Sequence, residues 1–416
     1  MKVPSRRDDP RRADGGAAVI AVVNIGSSSL KFALFDAGSR TRPIPRLASG
    51  KIDRVGLSGG TLAIFNGSGS PVTRRRAGTQ DQAAAVRQFL AWVDASPYRE
   101  RLAAVGHRIV HGGRSLVEPQ RVTPRMLRGL RTLAPLDPDH LPAEIEGIRL
   151  VARRHPDLPQ VACFDTAFHR TMPPVAQRYA LPRRWEEEGV LRYGFHGLSC
   201  EHVVASLAAG RERGGFPARL VVAHLGNGCS LTAIRDGRSV DTTMGFTPTG
   251  GLVMGTRPGD LDPEVVLYLA ERSGQTPVQL GRFLNHSAGL LGVSGTTGDM
   301  RDLVRRAPKE RRAREAVDLF CYQAQKFLGA MTSVLGGLDM LVFTGGIGEN
   351  SPEVRRRIGA GVEHLGLRID ARRNDRNRPV ISTPTSRVAV RIVPADEEQV
   401  IATHTVRLLH GRRPAT

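Results

Sequence analysis

One segment of this chain occurs twice. Val22 to Asp36 reads VVNIGSSSLKFALFD, and Val222 to Asp236 reads VAHLGNGCSLTAIRD, aligned without a gap at an offset of 200 residues. Val22, Gly26, Ala33 and Asp36 are identical to Val222, Gly226, Ala233 and Asp236. In each copy two apolar runs are joined by glycine and small hydroxyl or amide residues, which predicts a strand, a tight polar turn and a second strand. Such a turn lets bare backbone N–H groups approach phosphate oxygens. The plain alternative is a pair of ordinary hairpins, since Gly-Ser turns are common hairpin chemistry. A duplication at this distance constrains the chain to two related halves, each organised round one hairpin.

Around these copies the pattern alternates. After the first hairpin a meander of strands is expected through Lys51 to Val72. Gln80 to Val93, with Ala83, Ala84, Val86, Phe89, Leu90 and Val93 apolar, reads as an amphipathic helix. LAAVGHRIVHGG then reads as a buried strand ending in a glycine turn, and Arg125 to Arg154 as helical. Strands first and then alternating helix and strand predict a mixed sheet covered by helices. Late in the chain, the strand Met340 to Thr344 should run through a glycine turn into a helix with Ser351 as N-cap, Pro352 at the first position and Gly366 as its stop. That arrangement can hold a nucleotide at a helix N-terminus, although Gly-Gly before a helix is also ordinary packing. From about Val388 a strand and the helix Glu397 to Leu409 are expected to return to the first half.

The 416 residues leave room for two or three domains. We expect residues 1 to 17 to be a flexible tail, 18 to 165 with 388 to 416 to form one half, and 166 to 387 the other. Cys163, Cys200, Cys229 and Cys321 are too scattered for a zinc site or a disulfide framework, which fits a reducing cytoplasm. No apolar run approaches the length of a membrane span. The net charge of +20 raises the question of nucleic acid. The arginines, however, are spread through segments such as RRAPKERRAREA, and aromatic residues, at 5%, do not interleave with them, so a base-stacking surface is poorly supported. Anionic small molecules suit the charge better.

Two histidine motifs are flanked by glycine, VGHRIVHGG and RYGFHGLS, with Arg108 in the first and His196 in the second. A lone histidine would read as structural. Here Arg108, Asp165, His196 and Arg257 all lie in or beside loops that follow apolar runs. Arginine and protonated histidine to neutralise phosphoryl oxygens, carboxylates to hold Mg²⁺, and glycine turns to grip the donor are what phosphoryl transfer requires. There is no GxxxxGK[ST] loop, no HRD or DFG set and no G-x-S-x-G elbow. P-loop, protein-kinase and serine-hydrolase folds are thereby excluded.

NIGSSSLKF, GHRIVHGG, ACFDTAFHRTMP, RYGFHGLS, HLGNGCS, SVDTTMGFTP, MGTRPGDLDP, SGTTGDMRD, TGGIGENS and DEEQVIA occur in that order. Together they resemble the successive motifs of the acetate kinase family, from about residue 19 to 405. The resemblance implies an α/β chain of two duplicated ribonuclease H-like domains, an actin-like ATPase fold, with a central nucleotide cleft and normally a homodimer. It implies Mg²⁺, with Mn²⁺ as an alternative, and ATP/ADP as co-substrate. By the same resemblance Asn24 and Glu397 are associated with the metal, and Ser27, Ser29 and Lys31 lie in the first phosphate hairpin. His224, Leu225, Gly226, Asn227 and Gly228 form the second phosphate loop. Asp299, Met300 and Arg301 contact the adenosine, and Gly346, Ile347, Gly348, Glu349 and Asn350 close over the nucleotide. Arg108 and Arg257 would bind the acid and the moving phosphoryl group, with His196 as transition-state donor and Asp165 as the essential carboxylate. Val110, Phe195 and Pro248 match the apolar pocket for the acyl methyl. A carboxylic acid is already ionised at pH 7, so Asp165 is expected to orient groups or the metal rather than act as an obligatory base.

Two departures border that pocket. APLDPDHLP stands where the family usually reads APLHNP, and FTPTGGL where FTPLEGL is commoner. His140 can still align with the family histidine, which puts Asp139 at a normally apolar position beside the acyl group. Acetate is the expected acid. Propionate or another short acid is the nearest rival, and a non-kinase actin-like ATPase is the rival from another class.

Overall fold

The computed structural model describes residues 17–39, 41–210 and 215–411. Residues 1–16, and with them nearly all of the expected tail, lie outside the described residues.

Two mixed sheets carry the duplication. The first contains β1 (Val19–Ile25), β2 (Ser29–Asp36), β3 (Arg46–Asp53), β4 (Thr61–Asn66), β5 (Pro71–Arg76), β6 (Leu102–Ile109), β7 (Gln120–Arg121) and β8 (Gln160–Phe164), in the order β5-β4-β3-β2-β1-β6-β8-β7. The second contains β9 (Arg219–Leu225), β10 (Cys229–Arg235), β11 (Arg238–Thr242), β12 (Met340–Thr344) and β13 (Ala389–Ile392), in the order β11-β10-β9-β12-β13. In both, three antiparallel strands are followed by two parallel ones, so β3-β2-β1-β6-β8 and β11-β10-β9-β12-β13 have one topology. The second sheet's strand count and order were not legible in the sequence, because β11 and β13 are short and carry no clean alternation.

Burial explains the composition of the central strands. Every residue of β1 is buried, as expected where helices cover both faces. On one face the helices Gln82–Asp94 and Leu141–Arg154 pack Val86, Phe89, Leu90 and Val151 against Val19, Ala21 and Val23. On the other, Val400, Ile401 and Val406 of the helix Glu397–Leu409 pack on Ile20, Val22 and Ala104. The second sheet is covered by the long helix Arg311–Leu335 and, on its other face, by Gly197–Ala209.

Three expectations are displaced. The return to the first half does not begin at Val388, because β13 extends the second sheet beside β12; only the helix from Glu397 packs on the first. The helix expected from Pro352 to Gly366 ends at Ala360, and Gly366 instead closes a short 3₁₀ turn, Glu363–Leu365. Ser351 precedes that helix without a side-chain capping bond, and the expected glycine turn before it is itself helical, Gly345–Asn350.

The two hairpins also differ in register. In the first, Val22 pairs with Ala33 and Asn24 with Lys31. In the second, Val222 pairs with Thr232 and His224 with Ser230, one residue earlier than the gapless alignment would put them. A one-residue change exchanges which side chain stands beside a given partner. Thus Lys31 faces the same side as Asn24 while Leu30 enters the core, whereas Ser230 stands beside His224 and Leu231 enters the core.

Candidate active site

Three carboxylates surround Arg108. Asp165 Oδ2 accepts from its Nη2 at 2.5 Å and Nε at 3.1 Å, Glu144 Oε1 lies 3.4 Å from Nη1, and Glu397 Oε2 lies 4.0 Å from Nε. The Ile25 carbonyl accepts from Nη1 at 3.4 Å. Burial opposes the cation, but Asp165, Glu144 and Glu397 outweigh it and hold Arg108 charged. Burial pushes Asp165 up to about 6, with Arg108 opposing, so it is ionised at pH 7.

Glu144 was not singled out from the sequence. Its carboxyl group is fully buried, and Oε2 accepts from the Val110 backbone N–H at 2.9 Å, so one side chain braces both Arg108 and the backbone at Val110. Burial raises it to about 8, with Arg108 and the Val110 bond acting against burial. It sits in an ordinary-looking amphipathic helix, LPAEIEGIRLV, where a glutamate normally reads as solvated. Gln82 was missed for the same reason; its Nε2 donates to the carbonyls of Gly26 at 2.8 Å and Ser27 at 3.1 Å, fixing the first turn.

His196 has φ 59° and ψ 25°, a left-handed conformation unusual for a residue other than glycine. Gly197 after it donates its N–H to the Asp165 carbonyl at 2.9 Å, and a Cβ there would lie 2.1 Å from that oxygen. The glycine beside the histidine thus lets the RYGFHGLS and ACFDTAFH loops touch. His169 adds a second tie, with Nε2 2.9 Å from the Phe195 carbonyl. His196 Nδ1 lies 3.0 Å from Ser230 Oγ, and its ring stacks on His224. Burial, then His224, Arg108 and Arg257, hold His196 well below its ordinary range. The protonated histidine expected from the sequence is therefore replaced by a neutral one. It donates from Nε2 when the Ser230 hydroxyl donates to Nδ1. His224 is likewise pushed down to about 4, chiefly by burial, and its Nδ1 is engaged by Ser199 Oγ at 2.8 Å.

The second turn gathers the remaining groups. A Cβ placed on Gly228 would lie 2.9 Å from His196 Nε2 and 3.6 Å from Arg257 Nη2, so both side chains point at the turn. Arg257 Nη1 donates to the Pro248 carbonyl at 2.7 Å; among the described residues it has no ion-pair partner. Asn227 Oδ1 and the Gly298 carbonyl both lie within 3.3 Å of a Cβ on Gly255, and Gly346 N lies 3.9 Å from one on Gly226. The segments at 226–228, 255–257, 298–301 and 345–346 therefore meet. Asp299 caps the helix Met300–Arg306 by accepting from the Arg301 N–H at 2.8 Å; the Met300 side chain is in the core and that of Arg301 is exposed. Leu225 is buried, and Ile347, Gly348 and Asn350 lie on the short helix Gly345–Asn350. Glu349 turns away from the open side, as its Oε1 accepts from the N–H groups of Gly345 and Ala395.

On the first side of the cleft Asn24 Nδ2 donates to Glu397 Oε2 at 2.9 Å and Glu398 Oε1 at 3.2 Å, so both neighbouring glutamates converge on one amide. Burial disfavours the Glu397 anion, but Arg108, His224 and Lys31 with the Asn24 bond outweigh it and keep its carboxyl low; burial raises that of Glu398. Ser27 is exposed, Ser29 half-buried and Lys31 exposed. Among the described residues no cluster of three or more His, Cys, Asp or Glu side chains forms a ready-made metal cage. The residues nevertheless fit a cation that keeps waters and phosphate oxygens as ligands. Asp165 Oδ1 is buried without a hydrogen-bond partner, and the Glu397 carboxylate held by Asn24 lies close enough to act on it.

Val110 and Phe195, expected to wall the acyl methyl, share one buried cluster with Leu141. The carboxylate near them is Asp137 rather than the expected Asp139. Asp137 is buried and its Oδ1 accepts from His140 N at 3.0 Å and Nδ1 at 2.8 Å. Asp139 instead reaches out to His286 at 3.3 Å. Asp137 ends the 3₁₀ turn Ala134–Leu136 and holds His140, the residue that precedes the helix from Leu141.

The comparisons agree with the geometry. The sequence pattern of the acetokinase family matches residues 19–403. An acetate kinase of Rhodopseudomonas palustris is 44% identical over 403 residues, covering 95% of this chain and 99% of its own, and one of Micrococcus luteus is 42% identical over 94% of this chain and 100% of its own. The crystal structure of a propionate kinase from Francisella tularensis superposes with a TM-score of 0.85 at 34% identity, covering 93% of this chain and 98% of its own. That of the Porphyromonas gingivalis acetate kinase gives 0.80 at 36% identity, covering 94% and 100%. With matching topology in both halves and a pattern spanning nearly the whole chain, this protein belongs to the acetokinase family.

Proposed function

We propose that this chain reversibly transfers the γ-phosphoryl group of ATP to acetate, giving acetyl phosphate and ADP. The carboxylate attacks in line. The observation that carries the reading is the convergence of His196 Nε2 and Arg257 Nη2 on Gly228, with Arg108 braced across from them. The acid is anionic and so is the phosphoryl group, and relieving their repulsion is the chief demand on the site. Arg257, free of carboxylates, is the group suited to follow the moving phosphoryl. Arg108, already neutralised by Asp165, suits orientation of the incoming acid. Neutral His196 donates a hydrogen bond to an equatorial oxygen without having to lose a proton.

Asn24, Glu397 and Asp165 Oδ1 would hold Mg²⁺, which would supply positive charge to offset that of the nucleotide phosphates. Gly226 to Gly228 and Gly346 would cradle those phosphates, with Asp299 and Arg301 at the adenosine. Val110, Phe195 and Pro248 would wall the acyl methyl. The propionate kinase likeness and the altered loop at Asp137 favour propionate as a second acid.

We further propose a homodimer. No residue of the helix Pro263–Ser273 is buried, and Val265, Leu267, Tyr268 and Val278 expose an apolar face suited to a second copy. The four free, buried cysteines suit the cytoplasm. A hydroxamate assay of acyl phosphate formation with acetate, propionate and butyrate tests the activity. Absence of product with every acid would defeat the kinase reading, and sedimentation of the monomer at micromolar concentration would defeat the dimer.

A further inference from the structure

A single carboxylate oxygen joins the nucleotide side of the cleft to the segment that bears the metal-side glutamates. Glu349 Oε1 accepts from Gly345 N at 3.0 Å, at the start of the short helix that faces the second phosphate turn, and from Ala395 N at 2.9 Å. Ala395 lies where the chain leaves the second sheet after β13 and crosses to the helix Glu397–Leu409. The next residue, Asp396, caps that helix through Gln399 N at 3.1 Å and pairs with Arg46 of β3 at 2.5 Å. Glu397 and Glu398 follow and meet Asn24. From Gly345 to Asn24 the path is a continuous run of hydrogen bonds and two peptide units, and Glu349 is the only side chain in it that touches both the nucleotide helix and the crossover.

We propose that Glu349 is a positioning residue, which sets Glu397 and Glu398 from the nucleotide side so that the metal carboxylates reach their place only when the helix Gly345–Asn350 is correctly seated. This rests on the kinase reading above. The sequence pattern put Glu349 among the groups closing over the nucleotide; the geometry gives it a different task, since its carboxylate is engaged by two backbone donors. Losing it would leave both N–H groups without their acceptor and free the crossover to shift. Partners of this kind behind a metal site commonly matter by about 10- to 100-fold.

The test is calorimetric binding of ADP with and without Mg²⁺ to the full-length protein, wild type against Glu349→Ala, Glu349→Asp and Glu349→Gln, with thermal midpoints recorded in parallel. In Glu349→Ala the tightening of ADP binding by Mg²⁺ should shrink by roughly 10-fold or more, while metal-free ADP binding and the KM for the acid stay near wild type. Glu349→Asp, one methylene short of spanning both donors, should fall with Ala. Glu349→Gln keeps an acceptor oxygen of the same reach and should recover most of the effect. Equal loss of metal-free and metal-bound ADP affinity would overturn the proposal in favour of direct nucleotide contact, and unchanged binding in both Ala and Asp would overturn it outright. Wild-type protein that binds no nucleotide would instead defeat the kinase reading, and this proposal with it.

Discussion

The imidazoles of His196 and His224 stack with ring centroids 4.1 Å apart and planes 21° from parallel. His224 comes from the second hairpin, His196 from the loop that touches Asp165. The stack leaves Ser230 Oγ as the hydrogen-bond partner of His196 Nδ1. Ser230→Ala removes the hydroxyl at His196 Nδ1, which selects the Nε2–H tautomer when it donates there. We expect kcat to fall about 10- to 100-fold, with the KM for ATP little changed and a stability loss of about 1 kcal/mol. Steady-state kinetics that show unaltered kcat would refute this role for Ser230.

The two hairpin turns should respond differently to one added methyl group. On Gly228 it meets His196 Nε2 at 2.9 Å, whereas on Gly26 its nearest neighbour is Ser29 Oγ at 3.3 Å. Gly228→Ala should therefore cost about 10²-fold in turnover, the scale of an ångström-level misplacement. Gly26→Ala should cost less. Assay of both variants settles it, and a larger loss at Gly26 would mean that the jaws have been assigned the wrong way round.

Arg108→Ala and Arg257→Ala should each lower turnover by roughly 10³-fold or more, on the scale of arginine-finger losses. Their stability effects should part company. Removing Arg108 leaves the Asp165 carboxylate buried without its cation, a loss of about 3–5 kcal/mol. Arg257 balances no carboxylate in a direct pair, so Arg257→Ala should unfold near the wild-type midpoint. Near-normal turnover in either variant would sink its assignment, and matching denaturation curves would sink the distinction.

Acid should destabilise the fold before the carboxylates titrate. Burial pushes His107, His111, His169 and His224 each down to about 4, from an ordinary 6.5. Below pH 6.5 the unfolded chain takes up protons that these folded sites refuse, so stability present above 6.5 is lost as pH falls toward 4. Glu144, raised to about 8, acts in the opposite sense between 8 and its ordinary value. Asp165, raised to about 6, and Glu398 oppose in the same way, while His196 adds to the histidines; the lowered histidines outnumber the raised carboxyls, and the urea midpoint should drop from pH 6.5 to 5. A flat or rising midpoint over that range would contradict the burial of neutral histidines.

The acyl loop offers a contrast between neighbours. Asp137 is buried against His140, and Asp139 faces His286 near the surface. Asp137→Ala should change the acetate-to-propionate ratio of kcat/KM if Val110 and Phe195 wall the acid as proposed, because the carboxylate is buried beside that region. Asp139→Ala should leave that ratio within about 2-fold, as expected of a surface substitution. The reverse pattern would restore the alignment-based placement of Asp139.

Much of the site was legible because phosphate and acid chemistry leaves compact marks. Asn24, Arg108, Asp165, His196, Arg257 and the glycine turns sit in short motifs, and the fold brings these together. Glu144 and Gln82 left no such mark, and Ser230, though it ends the HLGNGCS motif, was given no role there. Each lies in a regular helix or strand whose pattern is satisfied without them, and each acts by reaching a partner distant in sequence: 36 residues for Glu144 to Arg108, 34 for Ser230 to His196.

The repeat by itself determined that there would be two related halves, because a strand, glycine turn and strand at a fixed offset can be satisfied only by two copies of one hairpin. It could not determine their inequality. Identity of spacing along the chain does not specify register across it; that depends on where each turn closes. Gly26 N bonds the Ser29 carbonyl and Gly226 N the Gly228 carbonyl, so the second turn is one residue tighter. Packing then sends Leu30 and Leu231 inward and leaves Lys31 and Ser230 beside Asn24 and His224. Tertiary structure thereby gave one jaw a cation beside Glu397 and Glu398 and the other a hydroxyl at His196 Nδ1.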